Sequence, residues 1–163
     1  MKNSSSFLIL RKIRAISDYQ FGPAITDVLF DNPDSIHLIF SKNTGKMKHI
    51  YEKDEILLNY RPKIGLFTLT FHSASKLISK LPIPEMRAIV LSDISEFIRK
   101  GRNVFCKHLQ EIDTKLRPLD EVIVVNQEDE ILAIGRLLLP ILYIKTFNTG
   151  IAINVRKGNK SKL

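Results

Sequence analysis

A cluster of cations around a single glycine is the part of this sequence whose residue types could do chemistry. Residues 93–109 contain Arg99, Lys100, Arg102 and Lys107, with Gly101 and Asn103 between them. Guanidinium and ammonium groups hold phosphate oxygens, and a glycine lets a sugar–phosphate backbone come close. From spacing alone, the better explanation of the first two cations is a solvated helix end, where positive charge suits the helix dipole. The phosphate-binding interpretation stays open beside it.

The pattern around these cations predicts a helix, a turn and a strand in direct succession. Asp93 and Glu96 have the spacing of a capping box, in which side chains bond the free amides at the start of a helix. The apolar residues between 94 and 98 form one helical face, and Gly101 suits the left-handed conformation that ends a helix. Residues 104–109 are dense in β-favouring side chains and predict a strand. The four cations would then lie at the surface on one tight turn.

No convergent catalytic set is evident in the sequence. It contains no G-x-G-x-x-G, no G-x-x-x-x-G-K-[ST] and no H-E-x-x-H motif. The four histidines fall far apart, in different predicted elements: His37, His49, His72 and His108. Cys106 has neither a base nor an orienting group beside it in sequence, and a small buried residue is the simpler interpretation. We therefore expect no catalytic residues, no metal site and no cofactor, and a protein that is not an enzyme.

Charge and cysteine content bound the environment and the partners. The 163 residues carry a formal charge of +8, which favours polyanions or acidic surfaces as partners. A hydrophobic content of 44% is enough for a real core. One cysteine permits no internal disulfide. We find no signal peptide and no apolar run near the roughly 20 residues that span a membrane, and we expect a cytoplasmic protein.

The order of helix and strand patterns predicts two α+β domains. Two prolines within residues 81–84 interrupt both helix and sheet, so we predict a boundary between domains of residues 1–82 and 83–163. The first domain begins with predicted helices at 7–19 and 24–30, followed by strands at 36–40, 48–52, 56–60 and 66–71 and a helix at 73–79. The second has predicted strands at 87–91, 104–109, 121–125, 131–135 and 150–156, which suggests a small, partly open barrel. Residues 157–163 predict a mobile basic tail.

These segments resemble a known family. The turn at 93–109 is similar to the first helix and second strand of the PUA domain, an RNA-binding module, in its archaeal transglycosylase form. Residues 116–136, L-R-P-L-D-E-V-I-V-V-N-Q-E-D-E-I-L-A-I-G-R, resemble its central hairpin, and 150–156, G-I-A-I-N-V-R, its closing strand. Two segments of the first half resemble the small α+β domain that precedes PUA in archaeal tRNA-guanine transglycosylases. They are residues 13–22, I-R-A-I-S-D-Y-Q-F-G, and residues 65–70, G-L-F-T-L-T. The large catalytic barrel of those enzymes has no room in 163 residues.

The resemblance implies a non-catalytic protein that binds tRNA or other structured RNA. Such a protein acts alone or as the detached RNA-recognition subunit of a tRNA-modifying enzyme. It implies an RNA surface formed by the helix, the glycine loop with the second strand, and the last strand. The residues concerned are Arg99, Lys100, Gly101, Arg102, Asn103, Lys107, Arg156 and Lys157. Phosphate contacts of this kind position the RNA and do not read its sequence.

Two departures from the family pattern affect the interpretation. Leu119 stands where the R-P-x-D-E hairpin motif usually has a glycine, which indicates a different turn before the strand. Residues 137–144, L-L-L-P-I-L-Y-I, replace a segment that is usually a short polar helix. They favour an alternative function, an adaptor that contacts a catalytic partner subunit or a second copy through this segment and binds RNA weakly or not at all. A third interpretation, with the segment folded over the open end of the barrel, is equally compatible with the sequence.

Overall fold

The computed structural model describes residues 2–160, with side chains from residue 7 onward. It divides into two compact units, Met1–Lys80 and Leu81–Leu163, which are described separately. The boundary predicted after residue 82 falls two residues inside the second unit, and it stays a prediction about independent folding. In the described part of the chain, no helix is both long and apolar enough to cross a membrane.

The first unit contains three helices and a four-stranded antiparallel sheet. Its elements are α1 (Lys2–Phe21), α2 (Pro23–Leu29), a 3-10 turn (Pro33–Ser35), β1 (Ile36–Phe40), β2 (Met47–Glu52), β3 (Glu55–Arg61), β4 (Leu66–Leu69) and α3 (Phe71–Lys80). Gly22, with a φ of +93°, separates the first two helices, and Pro23 takes the first helical position, where its missing amide costs no hydrogen bond. The predicted order of helices and strands is therefore found.

The sheet of this unit has the antiparallel order β1-β2-β3-β4. Ile50, Leu58 and Phe67 are buried on one face, which α3 covers. Gln20 of α1 bonds both the amide and the carbonyl of Phe67 at 2.8 Å, so a side chain occupies hydrogen-bonding positions on the edge strand β4. The helices thus bury one sheet face and protect one sheet edge.

Lysines of α3 hold acidic groups on the covered side of the first unit. Lys76 bonds Glu52 and Asp31, and Lys80 also bonds Asp31. The two lysines lower the pKa of Asp31 to about 2, because they stabilise its charged form. This ion network ties the loop after α2 to α3.

The second unit is a small barrel with one short helix at its rim and another after β9. Its elements are β5 (Arg87–Val90), a 3-10 turn (Ser92–Ile94), α4 (Ser95–Arg99), β6 (Val104–Phe105), a 3-10 turn (Cys106–His108), β7 (Leu109–Ile112), β8 (Glu121–Val125), β9 (Ile131–Leu137), α5 (Ile141–Thr146) and β10 (Ile151–Gly158). The strand order is β6-β10-β9-β8-β5-β7, and all neighbours are antiparallel except β5 and β8.

The two edge strands of this sheet are close together in sequence. β6 and β7 end the sheet on opposite sides, yet only the 3-10 turn Cys106–His108 separates them. The sheet must therefore curve until its edges approach, which makes it a nearly closed barrel. Val122, Val124 and Leu132 are completely buried within it. The predicted fold class, a small α+β domain followed by a partly open barrel, is confirmed.

Three local predictions in the second unit are wrong. The capping box does not form, because Asp93 lies in a 3-10 turn and α4 begins at Ser95 without a side-chain cap. Residues 104–109 are not one strand, since the chain must turn there from one barrel edge to the other. The strand β10 continues to Gly158, so the predicted mobile tail is ordered strand at its start. Residues 161–163 of that tail lie outside the described residues.

Candidate nucleic-acid interface

The turn after α4 is closed by backbone hydrogen bonds around Gly101. The glycine has a φ of +92°, its amide donates to the Ile98 carbonyl at 2.9 Å, and the Arg102 amide donates to the Phe97 carbonyl at 3.1 Å. These bonds satisfy carbonyls that the helix end leaves free. The helix-ending role predicted for Gly101 is confirmed.

Arg99 does not lie at the surface as predicted. Its side chain is buried, with 8% of the residue exposed, and its Nη2 atom lies 2.9 Å from Glu130 Oε2. Its Nη1 atom also donates to the carbonyl of Ile131 at 3.5 Å. Because α4 is only five residues long and rests on the barrel, its last residue faces the β8–β9 turn and not solvent. Arg99 therefore anchors the helix to the barrel.

The other three predicted cations are at the surface, although only Lys100 and Arg102 lie on the turn around Gly101 and Lys107 lies in the 3-10 turn Cys106–His108. Lys100, Arg102 and Lys107 are all exposed, and none of them has an ion-pair partner within residues 7–160. Two exposed aromatic side chains lie near them in sequence, Phe97 at 60% and Phe105 at 43% exposure. The turn thus presents unpaired positive charge beside exposed apolar rings.

The closing strand β10 packs against the backbone of the turn. Asn103 Oδ1 accepts a hydrogen bond of 2.9 Å from the Val155 amide. A Cβ atom placed on Gly158 would lie 2.1 Å from the carbonyl oxygen of Arg99 and 2.7 Å from the amide of Gly101. Only a glycine allows the strand to approach this closely. Sequence reasoning did not single out Gly158, although a glycine near the end of a strand is a signal of close backbone approach.

The predicted contact residue Arg156 has a structural partner. It is half-buried, and its two terminal nitrogens each lie 2.7 Å from an oxygen of Glu121, whose side chain is almost completely buried. This two-pronged ion pair joins β10 to the start of β8. Lys157, the next residue, is exposed on the same strand. The structure thus brings Arg99, Gly101 and Asn103 against β10, the strand that carries Arg156 and Lys157. Lys107 lies apart, in the 3-10 turn Cys106–His108 beside the other end of β10. Arg99, Asn103 and Arg156 each have a hydrogen-bond partner within the second unit.

The potential nucleophile is not activated. Cys106 is buried, as predicted, and burial raises the pKa of its thiol, which disfavours the reactive thiolate. Within the described residues, no group of three histidine, cysteine or acidic side chains is placed to hold a metal ion.

The apolar segment 137–144 is divided between core and surface. Leu137 ends β9 and Ile144 lies on the inner side of α5, and both are buried. Leu142 is 72% exposed, and Tyr143 is half exposed with its ring stacked on Phe147 at 5.4 Å. The segment is therefore an amphipathic strand-to-helix connection, with part of its apolar surface left in solvent.

Comparison with known families accounts for nearly the whole chain. Residues 11–84 match the family described as patch-forming domain C2 of tRNA-guanine transglycosylase, and residues 86–158 match the PUA domain. The tRNA-guanine(15) transglycosylase of Methanobrevibacter smithii is 40% identical over 93% of this chain, and that of Thermococcus onnurineus is 38% identical over 90%. The chain spans only 23% and 24% of the length of these two relatives.

Solved structures of low sequence identity share the fold. A hypothetical protein from Pyrococcus horikoshii is 22% identical, with a TM-score of 0.73 over 91% of this chain and 89% of its own. A PUA domain protein from Thermoplasma acidophilum is 14% identical, with a TM-score of 0.58 over 76% of this chain and 75% of its own. With the family matches, the predicted resemblance is confirmed. The chain therefore combines a region that matches the C2 domain with a region that matches the PUA domain, and together the two resemble the C-terminal region of archaeal tRNA-guanine(15) transglycosylases.

Proposed function

We propose that this protein is a non-catalytic RNA-binding protein that holds the phosphates of folded RNA at the turn after α4. The observation that carries the proposal is the pair of exposed cations Lys100 and Arg102 on a turn whose backbone is fixed by its own hydrogen bonds and by β10, with Lys107 also exposed in the 3-10 turn that follows β6. A fixed turn loses little conformational freedom on binding, so more of the electrostatic attraction is retained as affinity.

The eight residues of the predicted surface divide into two groups in this proposal. Lys100, Arg102, Lys107 and Lys157 contact phosphates, and Gly101 lets the RNA backbone approach. Arg99, Asn103 and Arg156 hold the surface in shape through Glu130, Val155 and Glu121. Arg156 pairs with the buried carboxylate of Glu121, so binding a phosphate would leave that carboxylate without its partner. Arg99 is itself buried and cannot reach a phosphate without leaving the barrel.

We further propose that the RNA is a tRNA. The support is that relatives 38–40% identical are named for a reaction on a tRNA guanine, and this chain matches only about a quarter of their length. The protein would then act in the cytoplasm as the RNA-recognition part of a tRNA-modifying system, alone or with a separate catalytic subunit. The Cys106 thiol is not activated, and the described residues contain no cluster of histidine, cysteine and acidic side chains for a metal ion.

A second candidate function rests on α5. Leu142, Tyr143 and Phe147 expose apolar surface after β9, which suits contact with a catalytic subunit or a second copy of this chain. In its stronger form, the protein is an adaptor that uses this surface and binds RNA weakly or not at all. Binding of tRNA distinguishes the two functions.

The test is a titration with tRNA at several salt concentrations. The variant Lys100→Ala/Arg102→Ala/Lys107→Ala removes the exposed cations of the turn, and Arg11→Ala/Lys12→Ala/Lys145→Ala removes the same charge from exposed sites elsewhere. If each cation of the turn neutralises one phosphate, the first variant flattens the slope of log K against log salt by roughly 2 to 3 units. The control should change it much less. Equal weakening by both variants would mean that the attraction is general positive charge, and absence of tRNA binding by the unaltered protein would favour the adaptor.

A further inference from the structure

The face of the first unit's sheet that is turned away from α3 carries an aromatic cluster that the proposed function does not use. Side chains alternate along a strand and cross-strand partners share a face. His37 pairs with Tyr51, and His49 pairs with Asn59, so these four side chains lie on one face. The alternate residue Ile50 is completely buried on the opposite face, under α3. The cluster therefore lies on the face turned away from that helix.

The rings of this cluster are already arranged for stacking. The rings of His37 and Tyr51 are stacked, with centroids 5.2 Å apart and an interplanar angle of 18°. The His49 ring meets Tyr51 edge-on at 6.3 Å, and its Nδ1 atom donates to Asn59 Oδ1 at 2.7 Å. His37 lies on the edge strand β1 and is exposed, so one side of the stack faces solvent.

Polar atoms beside the rings remain available. In the part of the chain with described side chains, the Tyr51 hydroxyl and the Asn59 amide nitrogen have no protein hydrogen-bond partner. An amide and a hydroxyl next to a flat ring are the groups that bind the edge of a nucleobase while its face is stacked.

Charge near the cluster also suits a nucleotide. Glu52 and Glu55 point to the opposite face, where their carboxylates lie 2.8 Å and 3.0 Å from ring nitrogens of His72 on α3. Arg61 follows Asn59 by two residues and lies on the same face, exposed. Lys48, at an irregularity in β2, is exposed as well. Acids are thus held away from the aromatic cluster while cations remain near it.

We propose that this face is a stacking site for one or two unpaired nucleotides of RNA. A base stacks on the outer side of the His37–Tyr51 pair. A neighbouring nucleotide lies further along the same face, where Asn59 and the Tyr51 hydroxyl can hydrogen-bond the edge of its base and Arg61 can hold its phosphate. The site deepens the proposed function, on which it rests, because it gives the first unit a contact with single-stranded parts of an RNA whose phosphates are held by the second unit. Base stacking on aromatic rings tolerates any base, so the site is selective for unpaired RNA and not for a sequence.

The test compares the binding of a short, unstructured single-stranded RNA to three variants of the whole chain. Tyr51→Leu keeps an apolar side chain but removes the ring, and Tyr51→Phe keeps the ring. Tyr19→Leu removes an equally aromatic side chain that is 86% exposed on α1. We expect Tyr51→Leu to lower the affinity roughly 5- to 150-fold, the range for loss of one stacked base. Tyr51→Phe should keep most of the affinity and Tyr19→Leu all of it.

The outcomes separate this inference from the proposed function. If Tyr51→Leu binds the single-stranded RNA as tightly as Tyr19→Leu, the stacking site is wrong, whether or not the turn after α4 binds tRNA. The same result is expected if this face contacts a protein and not RNA. If the triple variant of the turn binds tRNA normally while Tyr51→Leu loses single-stranded RNA, the proposed turn is wrong and the stacking site stands. Thermal unfolding checks each variant, and His37→Ala on the exposed edge strand replaces Tyr51→Leu if that variant does not fold. Its affinity should fall in the same direction, and unchanged affinity would overturn the proposal.

Discussion

Leu119 has a backbone conformation that leucine rarely adopts. Its φ is +78°, in the left-handed region, and 65% of the residue is exposed, so packing of its side chain does not compensate. Its amide donates to the Leu137 carbonyl at 2.7 Å, which fixes the turn before β8. The leucine therefore holds a conformation that glycine adopts without strain.

Leu119→Gly should stabilise the protein. Glycine enters the left-handed region without steric cost, and the gain should be about 1 kcal/mol after its greater freedom in the unfolded chain is subtracted. For a chain of this size, that raises the melting temperature by roughly 2–4 °C. Leu119→Ala is the control, because alanine keeps the strain and loses only an exposed side chain. A similar rise for both variants would show that the exposed side chain, and not the backbone, is unfavourable.

Arg99 and Arg102 show what residue patterns can and cannot predict. Their clustering around Gly101 identified the turn, and the turn is there. Which arginine faces solvent depends on how a five-residue helix rests on the barrel, and consecutive positions of so short a helix give no reliable periodicity. The partner of Arg99 is Glu130, 31 residues later, and nothing local to either residue indicates that contact. Positive charge was therefore predictable at this site, but its division between anchoring and exposed cations was not.

At the level of elements, the end of β10 and the end of α4 form one unit through Gly158. The predicted contact of an added Cβ at 2.1 Å is with backbone atoms of Arg99, which cannot move aside as the tip of a side chain could. At Gly101, by contrast, an added Cβ would meet nothing within 4 Å, and the only cost is the φ of +92°. The two glycines are therefore required for different physical reasons.

Gly158→Ala should accordingly destabilise the protein more than Gly101→Ala. We expect Gly101→Ala to cost about 1–2 kcal/mol, the penalty of a left-handed conformation, and Gly158→Ala to cost about 3 kcal/mol, at the upper end of the range for overpacking, because the clash is with backbone. Urea unfolding of the two variants measures the difference. Gly158→Ala should also weaken tRNA binding under conditions where the protein is still folded, because β10 must move away from the turn. A smaller loss of stability than for Gly101→Ala would contradict the close approach.

Helices and strands themselves were largely predictable, and their junctions were not. The hairpin of β8 and β9 follows from two apolar runs around an acidic turn, and it forms as predicted. The single strand expected at 104–109 fails because closure of the barrel requires β6 and β7 to lie at opposite edges. Asp93 and Glu96 had the local spacing of a cap, but the chain enters α4 through a 3-10 turn. Local chemistry thus gave the elements, while sheet closure decided where they break.

At the scale of the whole chain, one buried arginine holds the linker to the second unit. Arg87 is 1% exposed, and its Nε atom lies 2.8 Å from Asp129 in the β8–β9 turn. The same guanidinium donates to the carbonyls of Leu81 and Pro82 at 3.2 Å and of Glu85 at 3.0 Å. Segment 81–85 is thus part of the hydrogen-bonding of the second unit, which the proline pattern alone could not indicate.

Two fragments of the second unit should therefore differ in stability. A fragment of residues 83–163, which follows the predicted domain boundary, removes two of the carbonyls that Arg87 bonds, and a fragment of residues 81–163 keeps them. Hydrogen bonds to a buried charged group contribute about 1.5–3 kcal/mol each, and water at the new terminus replaces part of them, so the shorter fragment should be roughly 2–4 kcal/mol less stable. Urea unfolding of both fragments measures this difference in stability. Equal stability would show that the bonds from Arg87 to the carbonyls of Leu81 and Pro82 contribute nothing.

RNA binding by the longer fragment then tests how the two units share the proposed function. All the exposed cations of the turn lie in residues 81–163, so this fragment should keep the salt dependence of tRNA binding that the whole chain shows. It lacks Tyr51 and its neighbours, so it should lose the additional affinity for single-stranded RNA. Loss of the salt dependence in a folded longer fragment would place the phosphate contacts in the first unit and overturn the role of the turn.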